Sequence, residues 1–300
     1  MKFYSPGKLL ISAEYFVLSG AEALALPTQM GQHMNVEPIK EPVLQWKSYD
    51  LNRNLWMEGF LSIKNFEILE TQNTPLALFE KLQNCLRCTR ILKPDFCKTG
   101  YKVSTQLDFD RNWGLGSSST FINKLAQWAE INPFELLYKT FGGSGCDVAV
   151  AQTQKAILYS RNQKYPSIES INFNPPFTDQ MYFVHLNQKQ DSQKEVDAYN
   201  KRPKPKQKLI DQMSHLTKDL SSETSLSLFE ELLKKHEKLV GNLIGQQPIQ
   251  ERLFSDFDGR IKSLGAWGGD FILCTRKSSL TYFKERGYPT IIPYSKMIAS

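Results

Sequence analysis

Residues 101–129 combine a strand pattern, a glycine- and serine-rich loop and a helix pattern in direct succession. Alternate positions of residues 101–109 are apolar or β-branched, which is the period of a strand with one buried face. The loop NWGLGSSS occupies residues 112–119, and apolar residues then recur at helical spacing through residues 121–129. We therefore predict a strand, a tight loop and a helix whose amino end adjoins the loop.

A loop of this kind can hold phosphate. The first amides of a helix have no acceptor within the helix, and the helix dipole adds positive potential there. Gly114 and Gly116 allow close approach of the backbone to an anion, and the serine hydroxyls can bind phosphate oxygens or a cation. The loop has neither the lysine of a Walker loop nor the third glycine of a dinucleotide fingerprint. From these residues alone, a phosphate loop and a serine-capped turn without a ligand are both open.

The rest of the chain predicts an α+β protein with two domains, residues 1–175 and 176–300, divided near the NPPF segment. Residues 1–40 suggest short strands and turns, and the section after them is polar and weakly periodic. The predicted helices are residues 75–92, residues 133–141 with an Asn-Pro start, a short helix from Cys146, one from Ser192 with Glu195 in a capping box, residues 225–245 and residues 278–288. The predicted later strands are residues 155–161, 181–187, 270–275 and 289–294.

Composition and charge narrow the possible partners. The chain is 41% hydrophobic and 23% charged with a net charge of +6, which is typical of a globular protein. The basic run at residues 200–208 contains two prolines and no aromatic residue, so we interpret it as a solvated linker and expect no nucleic-acid partner.

The cysteines and the apolar segments bear on the compartment. Five cysteines are an odd number in a long chain, which disfavours a disulfide scaffold and favours a reducing compartment. Cys85, Cys88 and Cys97 have no histidine nearby to complete a zinc site. No apolar run reaches the length of a membrane span, and the residues after Lys8 lack a signal-peptide pattern. We expect a cytosolic (cytoplasmic) protein without a membrane partner.

Three glycine-rich segments together resemble the motifs of one kinase superfamily. Pro-Gly-Lys at residues 6–8 precedes Glu-Tyr-Phe-Val at residues 14–17, residues 114–118 read GLGSS, and residues 262–269 read KSLGAWGG. Their order and spacing across nearly the whole chain resemble the GHMP kinases, which include galactokinase, homoserine kinase, mevalonate kinase and phosphomevalonate kinase. Residues 143–152, GSGCDVAVAQ, look most like the mevalonate and phosphomevalonate branch, and are also similar to a bacterial subgroup with a GYDIA-like signature.

The resemblance implies a fold and an activity. The fold would be the two-domain GHMP kinase fold, with an N-terminal domain like the second domain of ribosomal protein S5 and a C-terminal ferredoxin-like α/β sandwich. The activity would be transfer of the γ-phosphoryl group of ATP, with Mg²⁺, to a hydroxyl or phosphate of a small acid of the mevalonate-pathway type. The alternatives are a sugar or homoserine-type kinase of the same fold and a non-catalytic nucleotide-binding relative.

The resemblance also implies a role for individual residues. Asp147 would be the catalytic base or orienting group, and Lys8 would stabilise charge on the transferred phosphoryl group. Ser118 and Glu135 would bind the metal, and Glu14 would lie near the site. The nucleotide would be bound by Gly114, Leu115, Gly116, Ser117, Ser118 and Ser119.

Each role has a simpler alternative that the residues leave open. Asp147 could merely cap a short helix, Lys8 could be a surface lysine, and Glu135 could stabilise a helix dipole. His236 lies on an apolar helical stripe, which favours a core histidine over a catalytic one. The chain departs from the family pattern at Ala13, Tyr15, Ser119, Thr120, Trp267 and Asp270.

Overall fold

The structure, a computed structural model, describes residues 1–72, 74–161, 165–188, 192–265, 267, 270–276 and 279–299, with the side chains of residues 192 and 193 excepted. These residues form two compact units, each assembled from separate chain segments. The first unit contains Met1–Gly7, Met30–Arg111 and Gly116–Gln152, and the second contains Lys8–Gln29, Asn112–Leu115 and Thr153–Ser300. The domain boundary predicted near residue 175 stays a prediction.

The first unit is built on a mostly antiparallel sheet. Its strands are β1 (Lys2–Leu10), β2 (Ala23–Ile39), β3 (Val43–Tyr49), β4 (Leu55–Ser62), β5 (Ile68–Gln72) and β6 (Gly100–Leu107), of which β1 and β2 continue into the second unit. The order is β5-β4-β3-β6-β2, and β1 pairs with β2. The β3–β6 pair is parallel, whereas β2 pairs with β6 antiparallel, with Gln32 opposite Leu107.

Four helices accompany this sheet: α1 (Leu76–Leu92), α2 (Ser117–Ala129), α3 (Pro133–Thr140) and α4 (Cys146–Thr153). Alternate residues of β6 are buried, as predicted. Val103 of β6 joins Trp46 of β3 and the apolar stripe of α2, including Ile122 and Leu125, in one hydrophobic core. Burial of each such side chain contributes about 1.5 to 3 kcal/mol, so this core fixes the position of α2 behind the loop.

The early strands differ from the prediction. Residues 1–40 form two long strands of 9 and 17 residues, and the polar section after them contains β3, β4 and β5. The period-two signal was hidden because Ser48 and Gly59 occupy inward-facing positions among buried apolar ones. Ser48 is satisfied there because its hydroxyl accepts from Thr105 Oγ1 at 2.9 Å and from Trp46 Nε1 at 3.1 Å.

The second unit contains a four-stranded antiparallel sheet in the order β10-β11-β9-β12. These strands are β9 (Met181–His185), β10 (Ile261–Ser263), β11 (Phe271–Thr275) and β12 (Ile291–Pro293), and they follow β7 (Ile157–Ser160) and β8 (Ser167–Ser170) in the chain. The first residues of β2 pair with β7, and β7 pairs with β8.

The helices of the second unit are α5 (Ser192–Asn200), α6 (Gln207–Ser222), α7 (Leu226–Ile244), α8 (Ile249–Leu253), α9 (Ser279–Glu285) and α10 (Tyr294–Met297). Sequence analysis missed α6, although Ile210, Met213 and Leu220 are buried at helical spacing. The basic run at residues 200–208 was interpreted as a linker, and the segment after it was not assigned to a helix. The capping box predicted for α5 involves Ser192, whose side chain lies outside the described part. Within the described residues, no helix combines the length and apolar content of a bilayer span.

Candidate functional site

The glycine-rich loop is held in a backbone conformation that favours glycine. Gly114 and Gly116 have φ of 64° and 84°, in the left-handed region that strains other residues. Leu115 between them is fully buried. The backbone N–H of Lys8 donates to the carbonyl of Leu115 at 3.0 Å. This bond ties the first predicted motif to the second within the same unit.

Gly114 is also required by a close neighbour. A Cβ at this position would overlap the carboxylate of Asp270. Asp270 is itself held by the sheet, since the N–H of Leu186 donates to its carbonyl at 2.9 Å. The carboxylate of Asp270, a residue that departs from the family pattern, therefore packs directly against the backbone of Gly114.

The amino end of α2 presents three consecutive serines. Gly116 is the N-cap and has no side chain to accept from the first amides, and Thr120 N–H donates to Gly116 O at 3.0 Å. Ser118 is exposed, and Ser117 and Ser119 are half-buried. Because first-turn amides lack acceptors within the helix, this end of α2 is suited to an anion.

Asp147 lies in the first turn of α4, after a glycine-rich turn at residues 142–145. The N–H of Cys146 donates to Ser144 Oγ at 3.2 Å, and the Asp147 side chain is half-buried. A negatively charged side chain interacts favourably with the helix dipole at this position. The role predicted for Asp147 stays a prediction.

Asn123 of α2 is a buried polar residue that sequence analysis did not single out. Its amide nitrogen donates to the carbonyl of Ala151 in α4 and to Ser5 Oγ, both at 2.9 Å. It therefore connects the helix that follows the loop with the helix that carries Asp147. Its signal in the sequence was an amide on the apolar face of an amphipathic helix.

The two predicted metal ligands belong to neighbouring helices of the first unit. Glu135 is exposed in the first turn of α3, whose N-cap Asn132 accepts from Phe134 N–H at 2.9 Å, as predicted. Hydroxyl and carboxylate oxygens suit Mg²⁺, which keeps several waters and takes few protein ligands beside phosphate oxygens. The described residues contain no group of three or more His, Cys, Asp or Glu side chains that could hold a metal by themselves.

The third motif meets the first through a buried ion pair in the second unit. Lys262 Nζ donates to Glu14 Oε1, and both side chains are buried. Burial alone would raise the pKa of Glu14, but the charge and hydrogen bond of Lys262 hold that pKa below its ordinary value. Glu14 is therefore a buried, ionised residue that connects the first motif to the third. Residues 266, 268 and 269 of this motif lie outside the described residues.

His236 lies in the core, where the helical stripe placed it. Its Nε2 accepts from the backbone N–H of Ala13 at 2.9 Å and lies 3.1 Å from Glu14 Oε2, so this nitrogen contacts both the backbone and the carboxylate of the first motif. Burial lowers the pKa of His236 to about 4, and the nearby Lys262 charge acts in the same direction. The histidine thus connects α7 to the first motif inside the core.

Glu237 follows His236 on α7 and is almost fully buried. Burial raises its pKa to about 8, with Glu14 acting in the same direction and Lys262 against it. Ser263 Oγ donates to Glu237 Oε2 at 3.3 Å. At neutral pH the folded protein therefore holds a proton on this carboxyl group.

Two residues of the first motif have positive φ angles without being glycine. Ala13 and Tyr15 both have φ of 64°, and Ala13 stands where the family pattern has glycine. The hydrogen bond from Ala13 N–H to His236 holds this strained segment.

Replacing Ala13 with glycine should change the free energy of unfolding by less than about 0.5 kcal/mol, because relief of the positive φ offsets the loss of a fully buried methyl group. A left-handed conformation costs an alanine about 1 kcal/mol or more, and the greater freedom of glycine in the unfolded chain offsets part of the gain. Urea unfolding measures the difference. Ala149→Gly, within α4, is the control and should lose about 1 kcal/mol. An equal loss in Ala13→Gly would contradict the strain.

Glu237→Gln should flatten the pH dependence of stability. The unfolded carboxyl ionises near pH 4.5 and the folded one near pH 8, so the wild type loses stability as pH rises between these values, at about 1.4 kcal/mol per pH unit. The glutamine variant lacks this loss. Denaturation at pH 5, 6.5 and 8 tests it, with Glu80→Gln on the exposed face of α1 as control. Parallel curves for wild type and Glu237→Gln would rule out the buried proton.

Solved structures provide the comparison with known proteins. The chain is similar to mevalonate kinase from Methanococcus jannaschii, with a TM-score of 0.66 and 15% identity over 97% of this chain and 96% of that one. It is similar to Streptococcus pneumoniae phosphomevalonate kinase in complex with phosphomevalonate and AMPPNP, with a TM-score of 0.68 and 16% identity over 95% of both chains. For Lactococcus lactis galactokinase complexed with galactose, the TM-score is 0.67 and the identity 13%, over 97% and 93%.

No protein-family model and no curated protein sequence matches the chain. The structural matches nevertheless extend over nearly the full length of both partners and include three kinds of kinase for which the GHMP superfamily is named. The predicted fold class is confirmed: the chain has the α+β fold of the GHMP kinases.

Proposed function

We propose that this protein is an ATP- and Mg²⁺-dependent small-molecule kinase. The observation that carries the proposal is the loop at residues 112–119, in which two left-handed glycines lead into a helix that has a glycine N-cap and three serines in its first turn. The fold shared with kinases, one of them described with AMPPNP, supports a nucleotide as the anion. The first-turn amides and the serine hydroxyls would bind its phosphates.

The cation would be held by Ser118 and Glu135 together with the nucleotide. Mg²⁺ supplies charge neutralisation on the phosphates when it is bound. The serine offers a hydroxyl oxygen at the end of α2, and the glutamate offers a carboxylate at the start of α3.

Asp147 would orient the hydroxyl or phosphate of the acceptor. The acceptor oxygen forms the new bond to the γ-phosphorus, the bond from that phosphorus to the bridging oxygen breaks, and ADP leaves with the bonding electrons. Asp147 accepts the hydroxyl proton or aligns it. Lys8 would stabilise the negative charge that spreads over the transferred group.

The acceptor class rests on the segment that contains Asp147. Residues 143–152 resemble the mevalonate and phosphomevalonate branch, so we propose a small acid of the mevalonate-pathway type. A sugar is the second candidate, because the TM-score for galactokinase in complex with galactose lies between those for the two mevalonate-pathway kinases. An ADP-release assay with mevalonate, phosphomevalonate, homoserine and sugars separates the two. If only a sugar supports ADP release, the proposed acceptor is a sugar and not an acid of the mevalonate-pathway type.

Asp147→Asn should lower kcat at least about a hundredfold and leave ATP affinity within about twofold, since loss of a general base costs roughly 10² to 10⁴. Coupled ADP release measures kcat, and calorimetry measures ATP binding.

The matched control is Asp219→Asn on the exposed face of α6, which should behave as wild type. Full turnover in Asp147→Asn would remove Asp147 from the mechanism. A wild type that binds ATP but turns over no acceptor in the panel would instead favour the non-catalytic nucleotide-binding relative.

Glu135→Gln should raise the Mg²⁺ concentration needed for half-maximal activity by about tenfold, because it removes a charged oxygen ligand while keeping the side-chain shape. The measurement is a Mg²⁺ titration at saturating ATP. Glu80→Gln, on the exposed face of α1, should leave the Mg²⁺ titration unchanged. An unchanged titration for Glu135→Gln as well would exclude Glu135 as a metal ligand.

A further inference from the structure

Behind the phosphate loop, three buried polar side chains of the first unit meet at one atom. Oε1 of Gln32 in β2 accepts from Lys124 Nζ at 2.6 Å and from Thr120 Oγ1 at 2.7 Å. The exposed fractions are 5% for Gln32, 1% for Thr120 and 0% for Lys124. We call these three residues the Gln32 network.

The chemistry of the three groups fixes their orientation. The Lys124 amine and the Thr120 hydroxyl both donate to the amide oxygen of Gln32. Both lone pairs of that oxygen are then used. The Thr120 hydroxyl also lies 2.9 Å from the carbonyl of Ser117, so its single proton faces two acceptors, Gln32 Oε1 in β2 and Ser117 O in the first turn of α2.

The adjacent residue of β2 holds the other flank of the loop. Gly31 O accepts from Asp108 N–H at 2.9 Å, and Gly31 N–H donates to Asp108 Oδ2 at 3.3 Å. Asp108 directly follows β6, whereas Thr120 lies in the first turn of α2. Two consecutive residues of one strand, Gly31 and Gln32, thus anchor the chain immediately before and immediately after the loop.

Burying the polar groups of the Gln32 network costs free energy. Burial lowers the pKa of Lys124 well below its ordinary value, and only the more distant charge of Asp108 opposes this effect. A buried amine costs free energy that an apolar side chain of similar size would not. Thr120 stands where the family pattern generally has alanine, which packs without a hydrogen bond. The hydrogen bonds of these polar groups therefore fix the local geometry and add little to the stability of the fold.

We propose that Gln32, Thr120 and Lys124 are positioning residues for the reaction, which set the first turn of α2 so that Ser117, Ser118 and Ser119 meet the nucleotide phosphates. This inference rests on the proposed function. Since the three side chains are buried and none belongs to the predicted ligand set, they act through the loop rather than on the nucleotide.

The test uses Thr120→Val, which keeps the shape and removes the hydroxyl, and Thr120→Ser, which restores it. Thr120→Val should raise both the Kd of Mg-ATP, measured by calorimetry, and the KM for ATP by about tenfold. It should change kcat by less than about threefold. Thr120→Ser should return Kd and KM to within about twofold of wild type. A valine variant with wild-type Kd and KM, or a serine variant as impaired as valine, would overturn the inference.

A matched control separates positioning from stability. Thr89 in α1 is fully buried, and its hydroxyl donates to Cys85 O at 2.8 Å within its own helix. Thr89→Val should lose a similar free energy of unfolding while the Kd of Mg-ATP stays as in wild type. A Kd that rises equally in Thr89→Val would show a general effect of lost helix hydrogen bonds and overturn the inference.

A double variant replaces the other two members of the network with apolar side chains. Gln32→Leu with Lys124→Met leaves no buried amine without a partner, so the fold should persist, and the Kd should again rise about tenfold. A folded double variant with wild-type Kd would contradict the positioning role. If wild type itself binds no Mg-ATP, the proposed function fails. If wild type binds it and every variant matches wild type, the proposed function stands and only this inference fails.

Discussion

The amino end of α2 needs polar partners that the helix cannot supply. Its N-cap is Gly116, which has no side chain to accept from the first amides, while the apolar face of the same helix is buried in the core of the first unit. The helix position is therefore fixed by apolar burial, and its free end remains suited to an anion. The proposed nucleotide site follows from this combination of a firmly packed helix and an end without a side-chain cap.

Apart from the three serines, hydrogen bonds of neighbouring groups support α2 and the loop. Asn123 connects α2 to the helix of Asp147, Thr120 connects it to β2, and Leu115 is bonded to the backbone of Lys8. Phosphoryl transfer depends mainly on holding charged groups in place. A large part of the chemistry can therefore depend on buried side chains that never touch the nucleotide.

Sequence reasoning predicted the strand–loop–helix unit well because β6 and α2 have clean periodic patterns. It missed β3 and β4, whose inward positions include Ser48 and Gly59, since a serine satisfied by a distant threonine looks polar in the sequence. The loop glycines were apparent from residue type alone. The Gln32 network was not, because its members are 88 and 92 positions apart and only the fold brings them together.

The ion pair between Glu14 and Lys262 joins residues 248 positions apart, and this separation constrains the order of assembly. During synthesis Glu14 emerges long before its cationic partner, so its carboxylate has to stay hydrated until Lys262 has left the ribosome. A chain truncated before Lys262 would bury an uncompensated negative charge or leave that segment open. The pair therefore makes burial of the first motif depend on synthesis of the third.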